Sequence, residues 1–140
     1  YSATSDPLGE YYRYAFQFNN FPDYPKFGIW PDGLYLTLNS NSNNVAVLER
    51  DSMLVGAEAR MVSFTLPDYP GSGFKSALAA DCDGQFPAYG TPNYILYYND
   101  NAWGNYPTDH IRIWEFEADW VNTSNSTVSM QNSLVNNIIL

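Results

Sequence analysis

Apolar and polar residues alternate with a period of two along much of the chain, which is the pattern of half-buried β-strands. The clearest case is residues 26–39, KFGIWPDGLYLTLN, where an apolar run, a Pro-Asp-Gly turn and a second alternating run predict a β-hairpin. A single helical turn is expected within residues 51–59, with Asp51 as its cap and Gly56 at its end. Further strands are predicted over residues 11–18, 45–50, 60–66, 94–96, 111–115, 127–130 and 133–140.

The order of these elements indicates a degenerate repeat. The string PDYP occurs at residues 22–25 and again at 67–70, each time between an alternating strand and a hairpin. Corresponding strands keep their order while the offset grows from 45 residues (22 to 67) to 66 residues (61 to 127). A unit of four short strands is typical of a propeller blade.

We therefore predict an all-β fold of two propeller-like, four-stranded antiparallel blades at about residues 25–66 and 75–130, plus flanking strands. Residues 1–10 are a polar lead-in, and residues 11–140 form one all-β region. Two blades cannot close a ring of four to eight. The chain is thus expected to belong to a longer protein or to associate with other subunits through its open sheet edges. A two-sheet β-sandwich is the alternative fold.

Composition and charge narrow the function classes. Aromatic residues make up 17% of the chain and charged residues only 15%, and the formal net charge is −9. An acidic chain without a basic patch is not expected to bind nucleic acid, because it cannot displace the counterions of phosphates. The sequence contains no run of about 18 apolar residues, so it predicts no membrane span. We expect a secreted, extracellular or cell-surface protein, which such a charge keeps soluble.

Several strings are together distinctive, among them DYPKFGIWPDGLYLTLN, VAVLERDSMLVGAEARM, ALAADCDG, PNYILYYNDNAWG and IRIWEFEADWVNTSNST. Over residues 11–130 they resemble a repeat region of large secreted bacterial proteins with WPDGYY, ADxDG and WxFxxDW motifs. The resemblance implies a secreted, repeat-bearing protein without an established activity. More distantly, the aromatic strand after an Asp-Gly turn is similar to the blades of five-bladed propeller glycosidases, a likeness of pattern that brings no catalytic residue with it.

Carboxylates are the first candidates for chemistry, since a glycosidase needs two of them about 5–10 Å apart. Asp32 and Asp83 each precede Gly in a turn, where the side chain usually bonds its own backbone. Glu115, Glu117 and Asp119 alternate with aromatic residues and are expected to share a solvated face. With one histidine and no G-x-S-x-G or G-x-G-x-x-G motif, nucleophilic catalysis and nucleotide binding lack support. We predict a non-catalytic protein, with a glycosidase fragment as an alternative.

Calcium is the second candidate, because oxygen-bearing residues cluster in two loops and hard cations prefer oxygen ligands. The predicted ligands are Asp81, Asp83 and Asp100, although neither loop completes an EF-hand pattern. No other cofactor is expected.

Cys82 is the only cysteine, so no disulfide can form within the chain. The neighbouring aspartates oppose a reactive thiolate, and we expect Cys82 to be a small apolar filler.

Aromatic side chains are the third candidate. Tyr97, Tyr98 and Trp103 could present flat faces to a sugar ring or a protein partner, and Trp103 lies in a Gly- and Asn-rich loop where exposure is expected. The sequons at Asn122 and Asn125 are candidate glycosylation sites.

The function we expect is a structural or adhesive β module that pairs through open edges. A carbohydrate-binding module is the alternative.

Overall fold

The computed structural model describes residues 1–69, 76–103 and 107–131. Within them the fold is all-β, with two four-stranded antiparallel sheets, and this part of the prediction is confirmed. The first sheet has the order β1-β2-β3-β4, with strands β1 (Lys26–Ile29), β2 (Gly33–Thr37), β3 (Val45–Glu49) and β4 (Met61–Phe64). The second has the order β5-β6-β7-β8, with strands β5 (Leu78–Ala79), β6 (Asn93–Asn99), β7 (His110–Glu117) and β8 (Thr127–Met130).

The predicted hairpin forms β1 and β2. Phe27 lies opposite Leu36 and Ile29 opposite Leu34, and the Trp30 N–H donates to the Gly33 carbonyl at 3.0 Å to close the turn. Each later strand pairs with the one before it, so both sheets are meanders. The two-residue strand β5 was not predicted, because its Ala-rich surroundings carry no alternating pattern.

One helical turn, α1 (Arg50–Leu54), follows β3, and its predicted cap is wrong. Glu49, not Asp51, occupies the N-cap position and makes no capping hydrogen bond with its side chain. Its carboxylate is instead bound by the Arg60 guanidinium at 2.6 and 2.8 Å. Gly56 lies just beyond the helix with φ of +72°, the left-handed conformation expected of a residue that ends a helix.

The predicted strand over residues 11–18 does not join either sheet in the described residues. Its alternation is nevertheless real, because Tyr14, Phe16 and Phe18 pack on one side against an apolar cluster that includes Leu36 and Leu48. The segment lies on a sheet face, where side-chain burial does not require ladder hydrogen bonds. The predicted strand over residues 133–140 lies outside the described residues.

Each sheet has two faces, which we name front and back. The front face of the first sheet (Tyr35, Val45 and Val47) and the back face of the second sheet (Ile95, Trp114 and Phe116) form the main core between the sheets. The back face of the first sheet (Leu36, Ala46 and Leu48) contacts residues 14–18. The front face of the second sheet carries five apolar or aromatic residues and, at the end of β7, two carboxylates. The register of β6 and β7 places Tyr94, Leu96, Tyr98, Ile111, Ile113, Glu115 and Glu117 there.

The two sheets are stacked in the same orientation. Thr37, which pairs with Lys26 at the start of β1, donates its hydroxyl to the Ala77 carbonyl at 2.5 Å. At the end of β1, the Ile29 N–H donates to the Asp81 carboxylate at 2.7 Å. Residues 26 to 29 thus run alongside residues 77 to 81 in the same direction. At the far side, β4 of the first sheet contacts β7 of the second through Phe64 and Phe116, so the strand order also runs the same way.

Candidate functional site

The three aromatic residues predicted to bind a ligand lie around one groove. The Trp103 ring is 5.9 Å from the Tyr98 ring and 6.4 Å from the Tyr97 ring, measured between centroids, and the Trp103 and Tyr98 planes are nearly perpendicular. The groove has a volume of about 510 Å³ and is also lined by Ser76, Leu78, Leu96 and Ile111. It opens on the front face of the second sheet, at the end where β6 leads into β7.

Strand alternation and a short 3₁₀ helix position these rings. Tyr97 is buried and its ring contacts that of Tyr69, whereas Tyr98 points to the other side of β6. The 3₁₀ helix Asn101–Trp103 then turns Trp103 back over the strand. Asp100 holds this turn, because its carboxylate accepts from the Ala102 N–H at 2.8 Å and its carbonyl accepts from the Trp103 N–H at 3.0 Å.

The groove continues into an exposed apolar surface. Leu78 and Trp103 are each 53% exposed, Leu96 is 38% exposed and Tyr94 is 36% exposed. No charged side chain is among the described residues that line the groove, so it offers contact area and ring faces but no acid, base or nucleophile. Sequence reasoning had identified the three rings and missed the aliphatic residues. The alternation of Tyr94, Leu96 and Tyr98 was the signal that would have placed them on one face.

A second pocket, of about 290 Å³, lies at the opposite end of the sheets. It brings Asp32, from the turn after β1, together with Glu117 at the end of β7 and Asp119 just beyond that strand, whereas the sequence linked only Glu117 and Asp119. Two indole groups bridge its walls, because the Trp120 Nε1–H donates to the Asp32 carbonyl and the Trp30 Nε1–H donates to the Thr91 carbonyl. Asp83 and Glu115 do not line this pocket.

The carboxylates in this pocket have opposite electrostatic environments. Asp32 is 4% exposed, and burial raises the pKa of its carboxyl group even though the Tyr35 hydroxyl donates to it at 3.0 Å. The Asn122 N–H, donating at 2.8 Å, is the main reason that the pKa of Asp119 is lowered. Asp119 closes a turn through this bond and a second one from the Val121 N–H. Glu117 is therefore the pocket carboxylate that an added group could reach, because it is exposed.

The predicted calcium ligands occupy different parts of the structure. Asp81 accepts from the Ile29 N–H and thereby links the two sheets, while Asp100 holds the 3₁₀ turn beside Trp103. Asp83 is exposed in the loop after β5. Among the described residues, no group of three or more His, Cys, Asp or Glu side chains is arranged to hold a metal ion. Calcium binding stays a prediction, and the contacts of Asp81 and Asp100 give these two carboxylates a role in the fold.

The two sequons lie in one exposed turn, the 3₁₀ helix Thr123–Asn125 and the residue before it. The Asn122 side chain caps this helix by accepting from the Ser124 N–H and hydroxyl at 3.3 and 2.6 Å. The Asn125 side chain donates to the Asp119 carboxylate at 3.1 Å. Both amides are solvent-exposed, and glycosylation at either stays a prediction.

Comparison of the chain with protein-family models, with curated proteins and with solved structures gives no match. The resemblance to secreted bacterial repeat proteins thus stays a prediction based on the motifs. In residues 1–69, 76–103 and 107–131, no helix has the length and apolar character needed to cross a membrane.

Proposed function

We propose that this chain is a non-catalytic, extracellular structural or adhesive β module that associates with other subunits or with the rest of a larger secreted protein. The exposed apolar part of the front face of the second sheet, with the groove of Tyr98 and Trp103 at its end, carries the proposal. Contiguous exposed apolar surface marks interaction sites on soluble proteins, and its removal from water is the main favourable term in association. The net charge of −9 fits a soluble extracellular chain.

Sheet edges give the proposal a second basis. Strands β4 and β8 each end their sheet in the described residues, and an edge strand offers unpaired backbone groups to another chain. The sequence-based proposal placed association at edges alone. The front face adds apolar area that an edge lacks, so face and edge can contribute to one interface.

Sedimentation velocity over a wide range of protein concentrations tests the proposal. We expect reversible association that Leu96→Glu weakens by at least about tenfold in Kd, because a carboxylate would then be buried in the interface. Val121→Glu is the matched control, since Val121 is 97% exposed and outside the groove. A chain that stays monomeric at all concentrations and binds no apolar dye at the groove would contradict the proposal.

Carbohydrate binding is a second candidate, favoured by the half-exposed Trp103 ring beside Tyr98. Sugar rings stack on exposed aromatic faces, and two non-parallel rings can contact two faces of one saccharide. A glycan array read with and without calcium tests this. Trp103→Ala should abolish binding, whereas Tyr89→Ala should not, because Tyr89 is 65% exposed and lies outside the groove. A blank array under both conditions removes the candidate.

A glycosidase fragment is the weaker alternative, supported by the shared pocket of Asp32 and Glu117. In this alternative Asp32, whose pKa is raised by burial, would be the acid and Glu117 the second carboxylate of the pair. Hydrolysis of a panel of aryl glycosides that is lost in both Asp32→Asn and Glu117→Gln would support it. Activity that survives both substitutions would exclude these two residues.

A further inference from the structure

The two outer faces of the stacked sheets differ in what covers them. On the back face of the first sheet, Tyr14, Phe16 and Phe18 pack over the apolar cluster. On the front face of the second sheet, no described segment covers Leu78 and Leu96 in the same way, and both remain over one-third exposed. Among the described residues, apolar sheet surface is therefore covered at one end of the stack and exposed at the other, where Glu115 and Glu117 border it.

The orientation of the sheets determines what kind of surface would match the open face. Because both sheets have the same strand direction and order, the front face of the first contacts the back face of the second. This contact is head-to-tail, and such contacts are not self-complementary. An assembly built on head-to-tail contacts grows by adding further units in the same orientation. The open face of the second sheet is a front face, so its counterpart is a back face.

We propose that the front face of β5–β8 receives the back face of a third four-stranded antiparallel sheet, stacked in the same orientation. This inference rests on the proposed function and names its partner. The partner face should carry large apolar residues at alternate positions of its second and third strands, as Ile95, Trp114 and Phe116 do in the existing interface.

A second copy of this chain could meet the open face only with its own front face, and not with a back face. Its own back face is covered by residues 14–18, and the outward side of that segment carries the exposed residues Arg13 and Gln17. A symmetric pairing of two front faces would also depart from the head-to-tail contact already present. The interface between the first and second sheets is thus the better guide to the occupant.

An extended chain tests the proposal. The full 140-residue chain is lengthened at its C-terminus by a further copy of residues 65–131, and Leu96→Cys in the original second sheet reports on the front face. Cys82, the one free cysteine, is replaced by Ser throughout. We expect the rate of thiol labelling at position 96 to fall at least about tenfold relative to the 140-residue chain, because the added sheet buries this position.

The matched control is Val121→Cys in the same two backgrounds, where labelling should be equally fast because this position is off the front face. Leu78→Glu in the original second sheet should restore rapid labelling at position 96 of the extended chain. Circular dichroism shows whether the added sheet has folded. An added sheet that folds without protecting position 96 overturns the proposal, and so does one that stays unfolded, since docking is what should order it.

Two results separate this inference from the proposed function. If the 140-residue chain self-associates through Leu96 but the added sheet gives no protection, the module still associates and the third-sheet partner is wrong. If labelling at position 96 is already slow in the 140-residue chain and becomes fast when residues 132–140 are removed, the chain covers its own front face. That outcome overturns the inference as well.

Discussion

Replacing Phe116 by Ala tests whether the two sheets share one core, on which the head-to-tail argument depends. Phe116 is fully buried on β7, and its ring centroid lies 5.3 Å from those of Tyr35 and Phe64 in the first sheet. Truncating a buried Phe to Ala costs about 3–5 kcal/mol through lost apolar transfer and the cavity left behind. The two edge-to-face ring contacts belong to that total and are not added to it.

We expect Phe116→Ala to lower the free energy of unfolding by about 4 kcal/mol, a large part of the 5–15 kcal/mol typical of a domain. Urea unfolding followed by tryptophan fluorescence measures it, and the midpoint should fall at an unchanged m-value. Phe27→Ala is the matched control, because Phe27 is 58% exposed and should cost under about 1 kcal/mol. Equal losses in the two variants would refute a shared core at Phe116.

Three further outcomes are expected from changes at single residues. Burial raises the pKa of Asp32 in the folded chain, so the Asp32 carboxyl group contributes to the free energy of unfolding below the ordinary carboxyl pKa. This contribution is lost as the pH rises through the raised pKa. In urea titrations, the unfolding free energy of Asp32→Asn should therefore rise relative to that of the native chain as the pH rises. A difference between the two that does not change with pH would contradict this. Hydrogen bonds from Arg60 lower the pKa of Glu49 in the folded chain. The loss of unfolding free energy in Glu49→Gln should therefore be largest above the ordinary carboxyl pKa and should shrink as the pH falls through the lowered pKa of Glu49. A Cβ at Gly28 would overlap the carbonyl group that follows β5, so Gly28→Ala should cost about 1–3 kcal/mol in thermal unfolding, whereas Gly84→Ala, in open space, should cost far less.

The strands of both sheets followed from the sequence because period-two alternation directly encodes a sheet with two distinct faces. Seven of the eight strands in the described residues coincide with predicted ones, and the turn at residues 30–32 lies where Pro-Asp-Gly predicts it. What alternation does not encode is the partner of a strand. Residues 11–18 alternate as clearly as β7, yet they lie on a sheet face, because side-chain burial alone satisfies the pattern.

The detailed match between the two halves was wrong for a related reason. Sequence similarity matched residues 61–64 with 127–130 position by position. Val62 and Phe64 lie on the front face of their sheet, whereas Val128 and Met130 pack against the core at the back face of theirs. A one-residue slip reverses every side chain of a strand. The PDYP strings also differ in backbone, since Tyr24 has positive φ in the first and Asp68 in the second.

The candidate site was predictable only in part. Ring chemistry identified Tyr97, Tyr98 and Trp103 from the sequence, but the groove also requires Leu78 from the unpredicted strand β5. The pocket around Asp32 was not predictable, because Glu117 approaches it only through the stacking of one sheet on the other. Residues within one strand can be placed together from sequence, whereas those joined by sheet packing cannot.

Three of the aspartates and the exposed apolar surface of the second sheet bear on the proposed association. The Asp81, Asp100 and Asp119 carboxylates all accept hydrogen bonds from backbone N–H groups, which fix loops and sheets in place. Such bonds reduce the need of these carboxylates for an added cation or substrate. The front face of the second sheet has no comparable internal partner among the described residues, and burial of apolar area is non-directional and strongly favourable. We therefore place the proposed partner on the exposed apolar part of that face.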